Sequence, residues 1–171
     1  MVVLRNSKIE IGKPHDVAKV FQGLLALEDQ IDQDKEHFYV CHLDPHRRIN
    51  LVELVAIGTL TSASIHPRET YRRAVVEGSD SIIIAHNHPS GDVTPSEADM
   101  LITRTLREAG ELLQILLLDH IIFTATQFYS FLENKTEHYA ILTKPAQTHA
   151  ERYGMKKQHR KGGDETYGIS Q

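Results

Sequence analysis

The 171-residue chain contains a single cysteine, Cys41. One thiol excludes an intramolecular disulfide and any zinc module built on several cysteines. It also excludes the Pro-Cys-x-x-Cys run that a zinc nucleobase deaminase needs beside its His-x-Glu. No apolar stretch approaches the ~18 residues expected of a membrane-spanning helix, and no basic-then-apolar leader opens the chain. The sequence therefore reads as a cytoplasmic protein with no membrane partner. Strong charge is lacking too: a formal net charge of −4 and a pI of about 6.2 leave no overall basic footprint for nucleic acid. No internal repeat is visible. The length fits one domain, large enough to bury a core around a sheet.

Histidine, by contrast, is plentiful, with eleven in all, yet only His86 and His88 stand at ligand spacing. They open the run HNHPSGDVTPSEAD, residues 86–99. Side chains two apart on an extended segment leave the same face. Two imidazole nitrogens and the Asp99 carboxylate make three ligands for zinc, with a fourth position left to water. Asp99 lies in the first turn of an expected helix, so the site belongs where a strand hands over to a helix. A plainer reading covers the same residues one by one. Ser96 is an N-cap, Asp99 reaches back as in a capping box, and Pro89, Gly91 and Pro95 punctuate turns. That reading leaves the two histidines unexplained. It also sets capping and metal binding in competition for the Asp99 oxygens.

The run resembles the JAMM metalloprotease signature, His-x-His-Pro followed by six residues and Ser-x-x-Asp. More narrowly, HNHPSG is similar to the hallmark of RadC-like JAB domains. Likeness continues in IGTLTSASIHPRETYRRAV (57–75), SIIIAHNHPSG (81–91), LLDHIIF (117–123) and the FYSF that ends at 131, and so covers about residues 30–133 in order. The resemblance implies an α/β fold of JAB/MPN type, a single domain with a central mixed β-sheet flanked by helices. It implies Zn(2+) as cofactor, held by His86, His88 and Asp99. It places the active-site glutamate in a Lys-Glu-x-Phe setting, which Lys35-Glu36-His37-Phe38 matches. Glu53, on the next strand, is the runner-up. To Ser96 it gives a hydrogen bond that supports an oxyanion, beside the capping role. Longer RadC-like proteins carry an N-terminal helix-hairpin-helix region, and this chain is expected to be the short form without it.

The organisation expected is an N-terminal helical segment over 1–30, the JAB/MPN domain over 31–140 and a flexible polar, basic tail over 141–171. Pro14 suits a first helical turn, and Val17, Val20, Phe21, Leu24 and Leu25 recur at helical spacing. Asp29–Asp34 reads as a loop. HFYVCHLD (37–44) and INLVELVAIG (49–58) form a hairpin pattern, HPRETYRRAVVEG (66–78) a helix stopped by Gly78, and SIIIA (81–85) a buried strand. From Ser96 to Leu113 the period is helical, with Met100, Leu101, Thr105, Leu106, Ala109 and Leu113 as the expected buried stripe. ILLLDHIIF (115–123) is a further strand. Within it Asp119-His120 reads either as a buried hydrogen-bonded pair or as support near the metal. FYSFLEN (128–134) reads as a short helix.

Two function classes follow. The first is a zinc-dependent JAMM-type metallopeptidase that cleaves a peptide, isopeptide or other amide bond, with Glu36 and Ser96 as catalytic residues. The second is a non-catalytic accessory in DNA repair or recombination, with weak, non-specific DNA contact through Lys156, Lys157, Arg160 and Lys161 of the tail. The complete ligand set favours the first. Substrate identity and oligomeric state have no signature in the sequence.

Overall fold

A computed structural model describes residues 1–5, 9–58, 65–138, 155–159 and 165–169. Residues 59–64 of the 57–75 similarity and the tail residues Arg160 and Lys161 lie outside the described residues. Nine strands and four helices are described: β1 (Val2–Arg5), α1 (Pro14–Leu25), α2 (Gln30–Gln33), β2 (His37–Leu43), β3 (Ile49–Ile57), α3 (Pro67–Glu77), β4 (Ser81–Asn87), α4 (Glu97–Leu113), β5 (Leu116–Phe123), β6 (Gln127–Ser130), β7 (Lys135–His138), β8 (Met155–His159) and β9 (Glu165–Ile169).

Seven strands form one mixed sheet in the order β1-β3-β2-β4-β5-β6-β7. Only β4 and β5 run parallel, joined through α4. Every residue of β2 and of β4 is buried, as expected of central strands covered on both faces. Alternation along β2 sorts the core into two layers. Phe38 and Val40 join Ile82 and Ile84 of β4 in a cluster with Tyr71 and Ala74 of α3 and Ile102 and Leu106 of α4. Tyr39 faces the other way, with its ring 5.7 Å from Phe21 of α1, which in turn stacks 6.1 Å from Phe123. The α/β architecture implied by the resemblance, a mixed sheet flanked by helices, is the one found. Among the described residues no helix is long and apolar enough to cross a membrane.

Local signals account for the helix ends. Pro14 sits at the start of α1, Gly78 closes α3 with φ +64°, and Ser96 caps α4. Four expectations need correction. Residues 1–30 hold, besides α1, a strand that pairs antiparallel with β3. Residues 30–33 within the expected loop form one helical turn. The expected helix over 128–134 is instead the end of β6 followed by a turn over 131–134, and in β6 Phe128 and Ser130 are buried and alternate with less buried neighbours. That is the two-residue period of a strand paired on both sides, and it overrides local preference. The α4 stripe is also displaced. Its buried residues are Ile102, Thr103, Leu106 and Gly110, while Met100, Leu101 and Leu113 are exposed. A threonine and a glycine carry little hydrophobic signal, yet both lie on the packed face. A Cβ at Gly110 would come within 2.4 Å of the Tyr71 hydroxyl and 2.5 Å of the Ile115 carbonyl oxygen.

Within residues 140–171, β8 and β9 pair antiparallel, so the segment read as a flexible tail contains a two-stranded ribbon.

Candidate metal centre

The site forms where β4 leaves the sheet. His86 is the one histidine of that strand and lies on the same face as Ile82 and Ile84, which pack against α4. Its neighbour Asn87 is followed by His88, whose N–H donates to the Phe123 carbonyl at 3.0 Å and carries the ladder one step past the strand end. The backbone thus stays extended through His88, and both rings leave the same face. Their Nε2 atoms lie 3.0 Å apart. The chain then turns at Pro89, with Gly91 at φ +86°, and returns through a loop in which the Asp92 carboxylate accepts from the Thr94 amide and hydroxyl at 2.9 and 2.7 Å. That loop delivers Ser96 to cap α4.

Asp99 is the third residue of α4, and its two oxygens do different work. Oδ2 accepts from the Ser96 amide at 2.8 Å and from the Ser96 hydroxyl at 2.6 Å. Oδ1 lies 3.1 Å from His86 Nε2. Capping therefore uses Oδ2, and Oδ1 is turned toward His86. Burial alone would raise the Asp99 carboxyl, but the His86 and Ser96 partners outweigh it and hold the group well below the usual carboxylate range. Among the described residues, His86, His88 and Asp99 are the group whose ligand atoms all lie within 4.8 Å of one another.

Glu36 arrives from far upstream by sheet register. Strands β2 and β4 are antiparallel with Phe38 opposite His86, so the start of β2 lies beside the end of β4. Asn87 fixes that junction. Its side-chain carbonyl accepts from the His37 amide at 2.7 Å and its side-chain amide donates to the Lys35 carbonyl at 2.9 Å. Glu36 sits between the two bonds, and its own carbonyl accepts from Gly58 at 2.9 Å. Glu36, His86, His88, Ser96 and Asp99 line one cleft of about 280 Å³ together with Pro89 and Ser90. Glu53 does not line that cleft. Its carboxylate is bound to Arg73 at 2.7 Å and to His42 at 3.3 Å. Burial raises this carboxyl, but the His42 and Arg73 hydrogen bonds prevail and leave it lowered.

The Asp119-His120 dipeptide divides its side chains. Asp119 accepts from the Ser130 hydroxyl at 2.6 Å and the Leu132 amide at 2.8 Å, pinning the turn after β6. Burial leaves its carboxyl raised despite these donors. His120 faces the other way, with Nε2 2.9 Å from His86 Nδ1 and Nδ1 2.6 Å from the Thr103 hydroxyl. Burial, followed by the neighbouring His86, pushes its pKa well down. Thr103 and Asn87 received no role from the sequence. Thr103 stands four residues after Asp99, on the same helical face, which is the only local signal for it.

Comparison with known proteins adds a family to this geometry. A family model described as the RadC-like JAB domain matches residues 11–137. A UPF0758 protein of Chlorobium chlorochromatii is 45% identical over 129 residues, covering 75% of this chain and 56% of its own. A UPF0758 protein of Staphylococcus epidermidis is 44% identical over 126 residues, covering 74% and 54%. The chain spans about half the length of the curated relatives it matches, and their name states no activity.

Proposed function

This chain belongs to the RadC-like JAB domain family, and from that premise we propose that it is a zinc-dependent hydrolase that cleaves an amide bond, peptide or isopeptide, with water as the nucleophile. The observation that carries the reading is the convergence of two imidazole Nε2 atoms and a carboxylate oxygen within 4.8 Å, in a cleft that Glu36 and Ser96 also line.

The donor set fits the metal. His88 Nδ1 lies 2.6 Å from the Asp92 carbonyl oxygen, which only accepts, so the ring proton is on Nδ1 and Nε2 presents a bare lone pair. Two neutral imidazoles and one carboxylate are the ligand types of a catalytic zinc, and three ligands leave a position open. Zinc in such a site supplies Lewis acidity, polarising a carbonyl and lowering the pKa of water toward about 7.

The protein residues then divide the remaining work. Glu36 takes a proton from the attacking water as the C–O bond forms and returns it to the departing amine nitrogen as the C–N bond breaks. Its backbone is held from both flanks by Asn87. Ser96 turns its hydroxyl from Asp99 Oδ2 toward the carbonyl oxygen as negative charge grows there. The amide of Ser96 keeps its own bond to Asp99, so the helix start survives that turn.

Metal analysis of the purified protein tests the reading directly. One zinc per chain is expected, with cleavage of peptide or isopeptide substrates that a chelator abolishes. The double variant His86→Ala/His88→Ala is expected to lose the metal while keeping its circular dichroism spectrum. Stoichiometric zinc in that variant would overturn the ligand assignment.

A further inference from the structure

We infer that Thr103 and His120 form a directional hydrogen-bond relay that holds the ring proton of His86 on Nδ1, and so set the affinity of the site for zinc without being ligands themselves. The inference rests on the reading of His86 as a ligand.

Direction follows from counting protons. The Thr103 hydroxyl has one to give and two neighbours: the Asp99 carbonyl oxygen at 2.5 Å and His120 Nδ1 at 2.6 Å. Two oxygens this close need a proton between them and a carbonyl has none to give, so the hydroxyl donates to Asp99 and Thr103 accepts from His120. His120 therefore carries its proton on Nδ1, and its Nε2 is bare. The neighbour of that Nε2 is His86 Nδ1 at 2.9 Å, which must donate. The Nδ1–H of His86 leaves its Nε2 as the nitrogen that faces His88 and Asp99. Were zinc held at Nε2, His86 would carry its proton on Nδ1 alone, which is the arrangement the relay supports, and the relay begins on the backbone of Asp99, itself a member of the proposed ligand group.

The three side chains of the relay are buried. His86 is 3% exposed, His120 0% and Thr103 5%. The His120 ring stacks on Phe131 with centroids 4.7 Å apart and planes 6° from parallel. His88 obtains the same tautomer from a carbonyl in a loop. His86 lies inside the sheet, where the backbone carbonyls are taken up by the ladders, and obtains it from a side chain. A metal-ligating histidine whose second nitrogen loses its partner typically costs about 10- to 100-fold in metal affinity.

Two measurements test this. Nitrogen-15 spectra of the imidazoles in wild-type protein read the His120 tautomer with or without zinc, and the proton is expected on Nδ1. Zinc competition titrations then compare variants. Thr103→Val keeps the side-chain shape but frees His120 to carry its proton on Nε2, opposed to His86 Nδ1–H. A loss of about 10- to 100-fold in affinity is expected. Thr103→Ser restores the hydroxyl and is expected to stay within a few-fold of wild type. His120→Leu should fall with Thr103→Val, and His120→Gln, whose carbonyl can accept near the same place, should recover most of the loss. If His120→Leu does not fold, the wild-type spectrum and the threonine pair still decide. A His120 proton on Nε2, or a folded Thr103→Val that binds zinc as tightly as wild type, would overturn the relay. A wild-type protein that binds no zinc would instead overturn the metal reading, with the His120 tautomer still reporting the relay geometry.

Discussion

Asp99 and Ser96 show how one carboxylate serves a helix and a site together. Because Oδ2 holds Ser96 and Oδ1 faces His86, the two functions separate by substitution. Ser96→Ala removes the cap and is expected to cost about 1 kcal/mol, read as a lower thermal midpoint, while zinc stays at one per chain. On the proposed mechanism activity should fall as well, since the Ser96 hydroxyl would support the developing charge. Glu36→Gln works the other way. It keeps shape and metal, and lowers the turnover rate on any validated substrate by about 10²–10⁴-fold through loss of proton transfer. Turnover equal to wild type would remove Glu36 from the mechanism.

At the scale of elements, the site is a junction of strand ends. Asn87 joins β4 to the start of β2 through two hydrogen bonds made by its side chain, where the ladder itself has run out. Asn87→Ala leaves the His37 amide without its acceptor in a fully buried setting, a loss of about 1–3 kcal/mol. Hydrogen exchange at the His37 amide should accelerate, while zinc content is unchanged. Helix α4 is held just as closely on its far side. Its Gly110 lies against Tyr71, whose hydroxyl donates to the Leu106 carbonyl at 2.9 Å. Gly110→Ala overpacks that contact and is expected to cost about 1–3 kcal/mol in urea unfolding.

Across the whole domain, an ion-pair chain ties the edge of the sheet to α3. Arg5 of β1 meets Glu77 at 3.1 Å, Arg73 meets Glu77 at 3.5 Å, and Arg73 meets the buried Glu53 of β3 at 2.7 Å. Both glutamates are lowered. For Glu77 the Arg5 hydrogen bond is the leading cause, and for Glu53 the His42 and Arg73 bonds overcome burial. A carboxyl lowered in the folded state takes up protons first in the unfolded chain. Its stabilisation is therefore present above the ordinary glutamate value of 4.5 and is lost as pH falls through the lower folded value. Urea midpoints should drop across that acidic window. Glu53→Gln should be less stable near neutrality and show a shallower drop. A pH dependence unchanged by the substitution would exclude Glu53 as a contributor.

His86, His88, Ser96 and Asp99 fall within fourteen consecutive residues, and their spacing alone pointed to the candidate ligand group and the cap, because strand alternation and the first helical turn are local geometry. Pro14 and Gly78 marked helix ends for the same reason: each acts on its own φ angle. Glu36 was reached through resemblance to a family, since nothing in its surroundings in the chain joins it to His86. The tertiary structure decided what depends on partners distant in sequence. Antiparallel register between β2 and β4 brings Glu36 to the cleft. The β4-α4-β5 crossover sets Thr103 and His120 behind His86. Pairing on both edges makes 127–130 a strand, and contact with Tyr71 selects the face of α4 that is buried. Such contacts are chosen by the energy of the packed whole, in which a threonine hydroxyl or a missing Cβ can outweigh a stripe of leucines.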